Sequence, residues 1–286
     1  MWYNASRMTA LINRIIDHSG VDGCGIRTVL VFQGCNFRCR YCHSPDTMGT
    51  CNGCGVCALH CSSGALKHGG PGKKPEWFED RCTGCGRCVN ACRKDASPRI
   101  KRVHLKEVTE RIRKNRSSIE GITCSGGECT IQADFMTGLF PQVKEMGLSC
   151  LIDSNGAADF ERMPDLMEYC DGVMLDIKAM DREKHVELTG AGNEQVLHSA
   201  KALARMGKLS EIRTVVSAAD SGARETVDGI TRLLKPYGAE IGYRLIPFRV
   251  YGVRREYRRM GAPSRSTMEE LRGIALANGF KNVIIT

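Results

Sequence analysis

The spacing of apolar and polar residues predicts a chain of short buried strands and amphipathic helices. Thr28–Phe32 is a short apolar run that predicts a buried strand, whereas Val103–Lys114 has apolar residues at helical spacing. Strands that alternate with helices build parallel sheets with right-handed crossovers, so the predicted fold class is α/β. Further strands are predicted at Gly121–Cys124, Ser149–Ile152, Gly172–Leu175, Glu211–Val216, Gly242–Ile246 and Asn282–Ile285.

Four more helices are predicted among these strands. Gln132–Met146 should kink or split at Pro141, because proline lacks a backbone N–H group. The last helix should begin at the capping box Thr267-x-x-Glu270 and end at Gly279. The other two helices are Val196–Met206 and Arg224–Lys235.

Residues 50–99 interrupt the alternation with a block rich in cysteine and glycine. The spacing C-x2-C-x2-C-x3-C occurs twice in it, beginning at Cys51 and at Cys82. This is the bacterial ferredoxin spacing, in which the fourth cysteine ligates the other [4Fe–4S] cluster. A pair of structural zinc knuckles is the alternative. The predicted ligand sets are Cys51, Cys54, Cys57 and Cys92 for one cluster, and Cys82, Cys85, Cys88 and Cys61 for the other.

A different cysteine spacing follows the strand Thr28–Phe32. Cys35, Cys39 and Cys42 form C-x3-C-x2-C on one short loop. Three thiolates can hold three irons of a [4Fe–4S] cluster and leave the fourth iron open for chemistry. The alternative is a zinc site that takes a fourth ligand from elsewhere, with His43 as an adjacent candidate.

Composition limits the classes of protein that remain. The 286 residues are 42% hydrophobic, enough for one large α/β domain plus a small insert. No run reaches the roughly 18 apolar residues of a membrane helix, and Met1–Ala10 lacks the apolar segment of a signal peptide. Sixteen cysteines without such a peptide indicate metal ligands in a reducing cytoplasm. Five cysteines lack ligand spacing and are expected to be buried small hydrophobes: Cys24, Cys124, Cys129, Cys150 and Cys170.

The net charge is weak support for a nucleic-acid partner. The formal charge is +9, but this value counts every thiol as neutral. Three oxidised clusters with their thiolates contribute about −5, which leaves about +4. Neither a nucleic-acid partner nor a membrane is therefore expected.

Polar residues follow the predicted strands where parallel α/β folds place their chemistry, at the carboxyl ends. The segments Ser125–Glu128, Asp153–Gly156 and Asp176–Lys178 each end a strand, and Arg213 lies within a fourth. Isolated residues of these types are usually turn residues. Four successive strands with polar ends at one edge indicate a binding site.

Cys35, Cys39 and Cys42 resemble the signature of the radical S-adenosylmethionine (SAM) enzymes. The lead-in Val21–Arg27 and the segment Tyr41-Cys42-His43 resemble one branch of them, the glycyl radical enzyme activating enzymes. The likeness extends over nearly the whole chain and is greatest to the YjjW-type activases with extra ferredoxin-like cysteines. It implies an open partial (β/α)6 radical SAM barrel over residues 1–49 and 100–286, with a two-cluster ferredoxin-like insert at residues 50–99.

The resemblance also implies roles for the strand-end residues. Gly126, Gly127 and Glu128 match the GGE motif, where the glycines allow close approach and the carboxylate binds the SAM ammonium. The activase positions that surround the SAM carboxylate, and in some relatives hold a monovalent cation, are matched by Asp153, Ser154 and Asp176.

Other matches lie near the SAM ribose and adenine. Lys178 and Arg213 match positions near the ribose and carboxylate, although a buried ion pair with a strand-end aspartate is an equal alternative. Tyr41 and His43 match positions that contact the adenine.

Several residues depart from the family pattern. Cys24 replaces the usual proline of the lead-in, Ser44 replaces an asparagine, and Arg249 replaces the histidine that lies near the ribose. In the ferredoxin repeats, Ser62 and Arg93 stand where proline usually follows the fourth cysteine. The Arg-rich segment Arg254–Arg259 is typical of a solvated loop, and docking of an acidic partner surface is the alternative.

The resemblance predicts an activase with three [4Fe–4S] clusters. It would reductively cleave SAM to a 5′-deoxyadenosyl radical and abstract a hydrogen atom from a backbone glycine of a partner glycyl radical enzyme. A flavodoxin or ferredoxin-type protein would be the reductant, and the insert would relay its electrons or serve as a structural unit. The rival functions are a radical SAM enzyme acting directly on a small molecule or peptide, and a non-catalytic iron–sulfur electron carrier.

Overall fold

The computed structural model describes residues 8–286, so Met1–Arg7 of the N-terminal stretch Met1–Ala10 lie outside the described residues. Its strands are β1 (Thr9–Ser19), β2 (Arg27–Phe32), β3 (Leu66–Lys67), β4 (Glu76–Trp77), β5 (Lys101–His104), β6 (Gly121–Gly126), β7 (Ser149–Ser154), β8 (Gly172–Asp176), β9 (Leu209–Val216), β10 (Gly242–Pro247) and β11 (Asn282–Ile285).

The α-helices cover the connections between these strands. Among residues 8–286, none of them is both long and apolar enough to cross a membrane. They are α1 (Val56–Leu59), α2 (Arg87–Asn90), α3 (Leu105–Asn115), α4 (Ala133–Glu145), α5 (Pro164–Tyr169), α6 (Arg182–Thr189), α7 (Glu194–Arg205), α8 (Ala223–Leu233) and α9 (Arg265–Ala277).

Within residues 8–286, nine strands form one sheet in the order β11-β10-β9-β8-β7-β6-β2-β1-β5. Seven of these strands are parallel to one another: β2, β6, β7, β8, β9, β10 and β11. This confirms the predicted mixed α/β class with a parallel sheet. Because parallel strands end at the same edge, the polar ends of β6, β7 and β8 lie side by side beyond β2.

The buried centre of the molecule lies between the parallel strands and the helices that connect them. All six residues of β2 are buried, as its unbroken apolar run predicts. Helix α4 buries Phe135, Leu139 and Phe140 against the same cluster of side chains as Phe32 and Ile152. The strand ends are therefore held on a rigid base.

The predicted split of one helix at Pro141 and the predicted start of the last helix are wrong. Helix α4 is one uninterrupted element although it contains Pro141, because its apolar face is buried and only one backbone N–H group is missing. Helix α9 begins two residues before Thr267, since the Ser264 hydroxyl accepts a hydrogen bond from the Thr267 amide at 3.0 Å.

Two antiparallel strands at the sheet edge were not predicted. Strand β1 pairs with β2 on one side and with β5 on the other. Val103 belongs to β5, so helix α3 begins at Leu105.

The two cysteine repeats of residues 50–99 have the same local conformation. Helices α1 and α2 each follow a glycine in the left-handed region, Gly55 at φ 75° and Gly86 at φ 72°. Between them, β3 and β4 form a short antiparallel hairpin.

Candidate active site

The loop Gly34–Cys42, called the cluster loop below, leaves the carboxyl end of β2 and carries Cys35, Cys39 and Cys42. Its first turn is fixed by the chain that follows it. The amide of Gly34 donates to the Thr47 carbonyl at 2.8 Å, and the amide of Cys35 donates to the Met48 carbonyl at 2.9 Å. The loop therefore folds back on itself at the edge where the parallel strands end.

Burial determines the ionisation of the three cluster-loop thiols. It raises the pKa of Cys35 to about 12 and that of Cys42 to about 11, and it also raises the pKa of Cys39. These thiols are neutral near pH 7 unless a cation stabilises the thiolates. Iron is such a cation, so three half-buried thiols on one loop fit the ligand set of an iron–sulfur cluster.

Helix α6 holds the middle of the cluster loop and was not predicted. The amide of Arg38 donates to the Thr189 carbonyl and the amide of Arg40 donates to the Leu188 carbonyl, both at 2.8 Å. The His185 ring packs edge-on against the Phe37 ring, with 5.5 Å between centroids. The carboxyl end of α6 thus satisfies backbone groups that the irregular loop cannot pair internally.

The segment Arg249–Arg259, called the strap below, crosses the other side of the cluster loop. The Arg254 guanidinium donates to the Arg38 carbonyl at 3.1 Å and to the Cys39 carbonyl at 3.2 Å. Gly252 has φ 81°, and a Cβ there would clash with the His43 carbonyl oxygen. The expectation that Arg254 is solvated is wrong, because its side chain is only 15% exposed and supports a ligand-bearing loop.

The strap also fixes His43. Its Nε2 lies 3.2 Å from the Arg249 carbonyl oxygen, and burial lowers the pKa of this imidazole. The backbone of Arg249, which replaces the family's histidine, is therefore in contact with the residue that follows Cys42.

The two glycines at the end of β6, Gly126 and Gly127, are required by the protein's own packing. Gly126 has φ 133°, and a Cβ there would clash with the backbone of Phe32. A Cβ on Gly127 would clash with the carbonyl oxygen of Gly34. The close approach that the glycines permit is therefore between β6 and the start of the cluster loop.

Glu128 is buried and its carboxylate joins β6 to β7. Oε1 accepts hydrogen bonds from the Thr130 amide at 3.2 Å, the Thr130 hydroxyl at 2.6 Å and the Ser154 hydroxyl at 2.9 Å. Oε2 accepts from the Asn155 amide at 2.7 Å. Burial nevertheless raises the pKa of Glu128, although these donors oppose the shift.

Asn155 links this carboxylate to the cluster loop. Its side-chain amide donates to the Asn36 side-chain oxygen at 2.8 Å and lies 3.8 Å from the Cys35 sulfur. Asn155 belongs to the predicted strand-end segment Asp153–Gly156, but no role was predicted for it. The sequence signal for such a role is the position of this asparagine directly after two polar strand-end residues.

The end of β7 is paired with β9 through charge. Arg213 lies 3.2 Å from Asp153, which also accepts a hydrogen bond from the Ser125 hydroxyl at 2.9 Å. Glu211 in turn pairs with Arg213 at 2.6 Å and with Arg244 at 2.8 Å. Burial raises the pKa of Asp153, while Arg213 counteracts the shift.

The end of β8 forms a second buried ion pair. Lys178 lies 2.6 Å from Asp176 and its ammonium is 5.7 Å from the centroid of the Tyr41 ring. Burial alone would lower the pKa of Lys178, but the Asp176 carboxylate outweighs it and raises the pKa. The ion-pair arrangement considered for Lys178 and Arg213 is thus present in the structure.

Tyr41 provides a test of whether a polar ligand fits beside these pairs. Its side chain is buried, and its hydroxyl has no hydrogen-bond partner within residues 8–286. The buried Ser217 hydroxyl, just beyond β9, is also without a partner there. Buried hydroxyl groups without partners cost free energy, so the site fits a ligand with polar groups. SAM, which has an ammonium, a carboxylate and a ribose, is such a ligand.

The insert brings four cysteines of one predicted set together. A cavity open to solvent is lined by Cys61, Cys82, Cys85 and Cys88, with Trp77 on its wall. Cys61 comes from the first repeat and the other three come from the second, which is the crossed arrangement that the ferredoxin spacing predicts.

The other predicted set is recognisable around Cys57. Burial raises the pKa of this thiol to about 11, and the neighbouring thiols of Cys51 and Cys92 add to the shift. Cys92 again comes from the other repeat. Cys54, the fourth residue of the set, is exposed.

Asp95, at the end of the insert, contacts both supports of the cluster loop. Its carboxylate pairs with Arg38 and lies 3.6 Å from Arg254. Its carbonyl accepts a hydrogen bond from the Gly49 amide at 2.8 Å, and its φ is 50°. Asp95 therefore connects residues 50–99 to the cluster loop and to the strap.

The five cysteines without ligand spacing divide into two kinds. Cys24 is exposed, so its expected burial is wrong, because it lies in the turn of the lead-in before β2. The other four are buried, as expected: Cys124, Cys129, Cys150 and Cys170.

Comparisons with known proteins agree with this arrangement. The radical SAM superfamily profile matches residues 29–218. The chain is 30% identical over 288 residues to the 4-hydroxyphenylacetate decarboxylase activating enzyme of Clostridioides difficile strain CD196, covering 90% of each chain. It is 31% identical over 274 residues to the pyruvate formate-lyase 1-activating enzyme of Escherichia coli strain K12, covering 91% of this chain and 93% of that one.

A solved structure shares the fold. It is a domain of a pyruvate-formate lyase-activating enzyme from Bacteroides vulgatus, with a TM-score of 0.50 and 20% identity over 58% of this chain and 98% of that one. The superfamily profile spans most of the chain, and the two curated relatives match it almost from end to end. The chain therefore belongs to the radical SAM superfamily and, within it, to the glycyl radical enzyme activating enzymes.

Proposed function

We propose that this chain activates a glycyl radical enzyme by using SAM to generate a radical on one backbone glycine of that partner. The observation that carries this proposal is the placement of three half-buried thiols beside the charged residues of β7, β8 and β9. The cluster loop supplies the thiols, and the strand ends supply two aspartates, a lysine and an arginine. A thiol-bound metal centre and a zwitterionic ligand can therefore be held side by side.

Cys35, Cys39 and Cys42 are the proposed ligands of a [4Fe–4S] cluster, which would leave one iron open for SAM. A reduced cluster held there would supply one electron to bound SAM, whose cleavage yields methionine and the 5′-deoxyadenosyl radical that takes a hydrogen atom from the partner's glycine. A flavodoxin or ferredoxin-type protein is the proposed source of this electron. The contribution of the protein is to orient the reactants and to exclude water.

The carboxylate and ammonium of SAM need opposite charges around them. Lys178 and Arg213 are proposed to face the carboxylate and ribose, exchanging part of their pairing with Asp176 and Asp153 for the ligand. Glu128 is proposed to face the ammonium with the Oε2 lone pair that the Asn155 amide leaves free.

The remaining contacts complete the proposed SAM site. Tyr41 and His43 are proposed to border the adenine, with the Tyr41 hydroxyl finding in the ligand the partner that it lacks in the protein. Gly126 and Gly127 keep the strand end close to the cluster loop, and Ser154 orients Glu128. A monovalent cation is proposed only where ligand binding draws Lys178 or Arg213 away from its aspartate.

We also propose the finer architecture. Residues 1–49 and 100–286 would form a partial (β/α)6 barrel, and residues 50–99 a ferredoxin-like insert with two further [4Fe–4S] clusters. The cavity lined by Cys61, Cys82, Cys85 and Cys88 supports one of these clusters. The full complement would be about twelve irons per chain.

The proposed partner is a separate glycyl radical enzyme, because both curated relatives are activating enzymes of such proteins. The test is to mix the reduced, reconstituted protein with SAM and each glycyl radical enzyme of the source organism, without oxygen, and to record an electron paramagnetic resonance (EPR) spectrum. The expected signal is a doublet that collapses to a singlet when the partner's glycine is deuterated at Cα. A Gly→Ala partner is the control and should give no signal. If no partner gives this doublet while a small molecule is consumed together with SAM, the proposal is wrong.

A further inference from the structure

The outward face of the strap is exposed beside the proposed active site. Tyr251 is 93% exposed and Val250 is 49% exposed, although both belong to large side-chain types that usually pack against protein. The strap lies against the cluster loop through Arg254 and against His43, the residue after that loop, through Gly252. Tyr251 is therefore exposed next to a residue that contacts the chain directly after Cys42.

The inward face of the strap is fixed, so this exposure is not the result of a loose loop. Val253 of the strap is buried with 1% exposure, as is Phe248, the residue directly before the strap. Arg254 donates to the cluster-loop carbonyls of Arg38 and Cys39. Tyr251 is thus displayed on a pre-organised support, which reduces the entropy lost on binding.

The outward face is also strongly basic. Four of its arginines are exposed and form no ion pair within residues 8–286, and Glu256 is the single acidic residue among them. Unpaired arginines around an exposed tyrosine are typical of protein–protein contact surfaces, where both residue types are enriched. The four arginines are Arg249, Arg255, Arg258 and Arg259.

We propose that the outward face of the strap is the docking surface for an acidic patch on the glycyl radical enzyme, next to the glycine that is to be activated. This inference rests on the proposed function. Charge complementarity favours an acidic partner surface, because it would steer association and orient the partner. The position beside the cluster loop favours the protein that must deliver its glycine there over a reductant, for which contact with the insert is sufficient.

The test compares two charge-reversed variants of the reconstituted protein without oxygen. Arg255→Glu/Arg259→Glu reverses two strap charges, neither of which makes a hydrogen bond or ion pair within residues 8–286. Arg113→Glu/Lys114→Glu makes the same change in net charge on exposed positions of α3. Association with each glycyl radical enzyme of the source organism is followed by stopped-flow fluorescence at low and high salt.

The strap variant should associate about ten- to a hundredfold more slowly at low salt, with a weaker salt dependence than the unmodified protein. The α3 variant should associate normally. A third variant, Tyr251→Ala, should dissociate about tenfold faster, and Tyr251→Phe should keep most of the affinity. SAM cleavage without the partner should be unchanged in all four, because none of these side chains contacts the proposed SAM site.

Other outcomes would overturn the docking surface without touching the proposed function. If both charge variants slow association equally, only net charge matters. If the strap variant slows reduction by flavodoxin but not binding of the glycyl radical enzyme, the surface belongs to the reductant. Failure of the proposed function would give a different result: the unmodified protein would then produce no glycyl radical and bind no candidate partner.

Discussion

At the scale of single residues, the proposed SAM contacts also serve as ties within the protein. Glu128 accepts four hydrogen bonds, of which those from Ser154 and Asn155 join β6 to β7, and Arg213 and Lys178 neutralise the aspartates at the ends of β7 and β8. A substitution at any of these positions therefore has two effects, one on folding and one on the ligand. Only measurements with and without SAM separate them.

Glu128→Gln should destabilise the protein even without SAM. The new amide N–H group would face either the Asn155 amide or the donors of Thr130 and Ser154, so at least one buried donor would lose its acceptor. The cost is about 1–3 kcal/mol, which lowers the melting temperature by several degrees. If Glu128 also binds the ammonium, SAM affinity falls by about ten- to a hundredfold.

Melting followed by circular dichroism and SAM binding followed by calorimetry measure the two effects separately. Glu145→Gln is the control, because Glu145 is exposed at the end of α4. A normal melting temperature would contradict the tie between β6 and β7. Normal SAM affinity would contradict the ammonium contact.

At the scale of elements, the sequence predicts those strands and helices that have a clear hydrophobic periodicity. Strand β2 is an unbroken apolar run and was found at once, whereas β1 is mostly half-buried and its pairing with β2 shifts register between Ile12 and Arg14. A strict two-residue alternation cannot survive such a shift, so the pattern carried no strand signal.

Helix α6 was missed for another reason. It is short and mostly polar, and packing on the cluster loop is what makes it important. Its ends did carry a signal, because the Asp181 side chain accepts a hydrogen bond from the Lys184 amide at 2.8 Å and Gly190 ends the helix with φ 81°. Capping residues would have found this helix where periodicity did not.

The candidate active site also has residues that the sequence predicts and residues that it does not. Ligand spacing made the eleven predicted cluster cysteines recognisable from the sequence alone. The supports of the cluster loop could not be recognised, because Arg254 lies more than two hundred residues from Cys39 along the chain and resembles its solvated neighbours in sequence. Contacts between distant segments depend on the packed fold and leave no local pattern.

The strap supplies a prediction at this scale. Arg254→Lys keeps the charge but loses the planar group that reaches the Arg38 carbonyl, the Cys39 carbonyl and Asp95 together. Charge-assisted hydrogen bonds contribute about 1.5–3 kcal/mol, so the cluster loop should open more often. The release of iron to a chelator without oxygen should accelerate about tenfold. Arg255→Lys, which changes an exposed neighbour, is the control and should release iron at the normal rate.

At the scale of the whole molecule, the number of clusters is the first quantity to measure. Changing Cys35, Cys39 and Cys42 together to Ala should remove about four of about twelve irons and abolish SAM cleavage. Cys24→Ala, at an exposed cysteine without a proposed ligand role, should keep both. Iron analysis and the yield of 5′-deoxyadenosine measure the result. Production of 5′-deoxyadenosine by the triple variant would show that the cluster loop is not the reactive site.

The insert is attached where it can affect the reactive site by two routes. It would pass electrons if its proposed clusters are present, and it can support the cluster loop through Asp95, which pairs with Arg38 and lies near Arg254. The two routes predict different results for different substitutions. Cys54→Ala/Cys85→Ala removes a ligand from each proposed cluster and leaves Asp95 in place, whereas Asp95→Asn leaves the ligands and removes the charge.

If the insert relays electrons, Cys54→Ala/Cys85→Ala should lose most SAM cleavage with flavodoxin as donor. It should keep most of it with dithionite, a small reductant that reaches the cluster loop directly. Asp95→Asn should instead reduce both activities to the same extent and alter the EPR spectrum of the cluster-loop centre. Asp80→Asn, at a carboxylate of the insert that is 79% exposed, is the matched control. Equal losses with both donors in the double cysteine variant, together with the altered spectrum of Asp95→Asn, would mean that the insert supports the loop and does not carry its electrons.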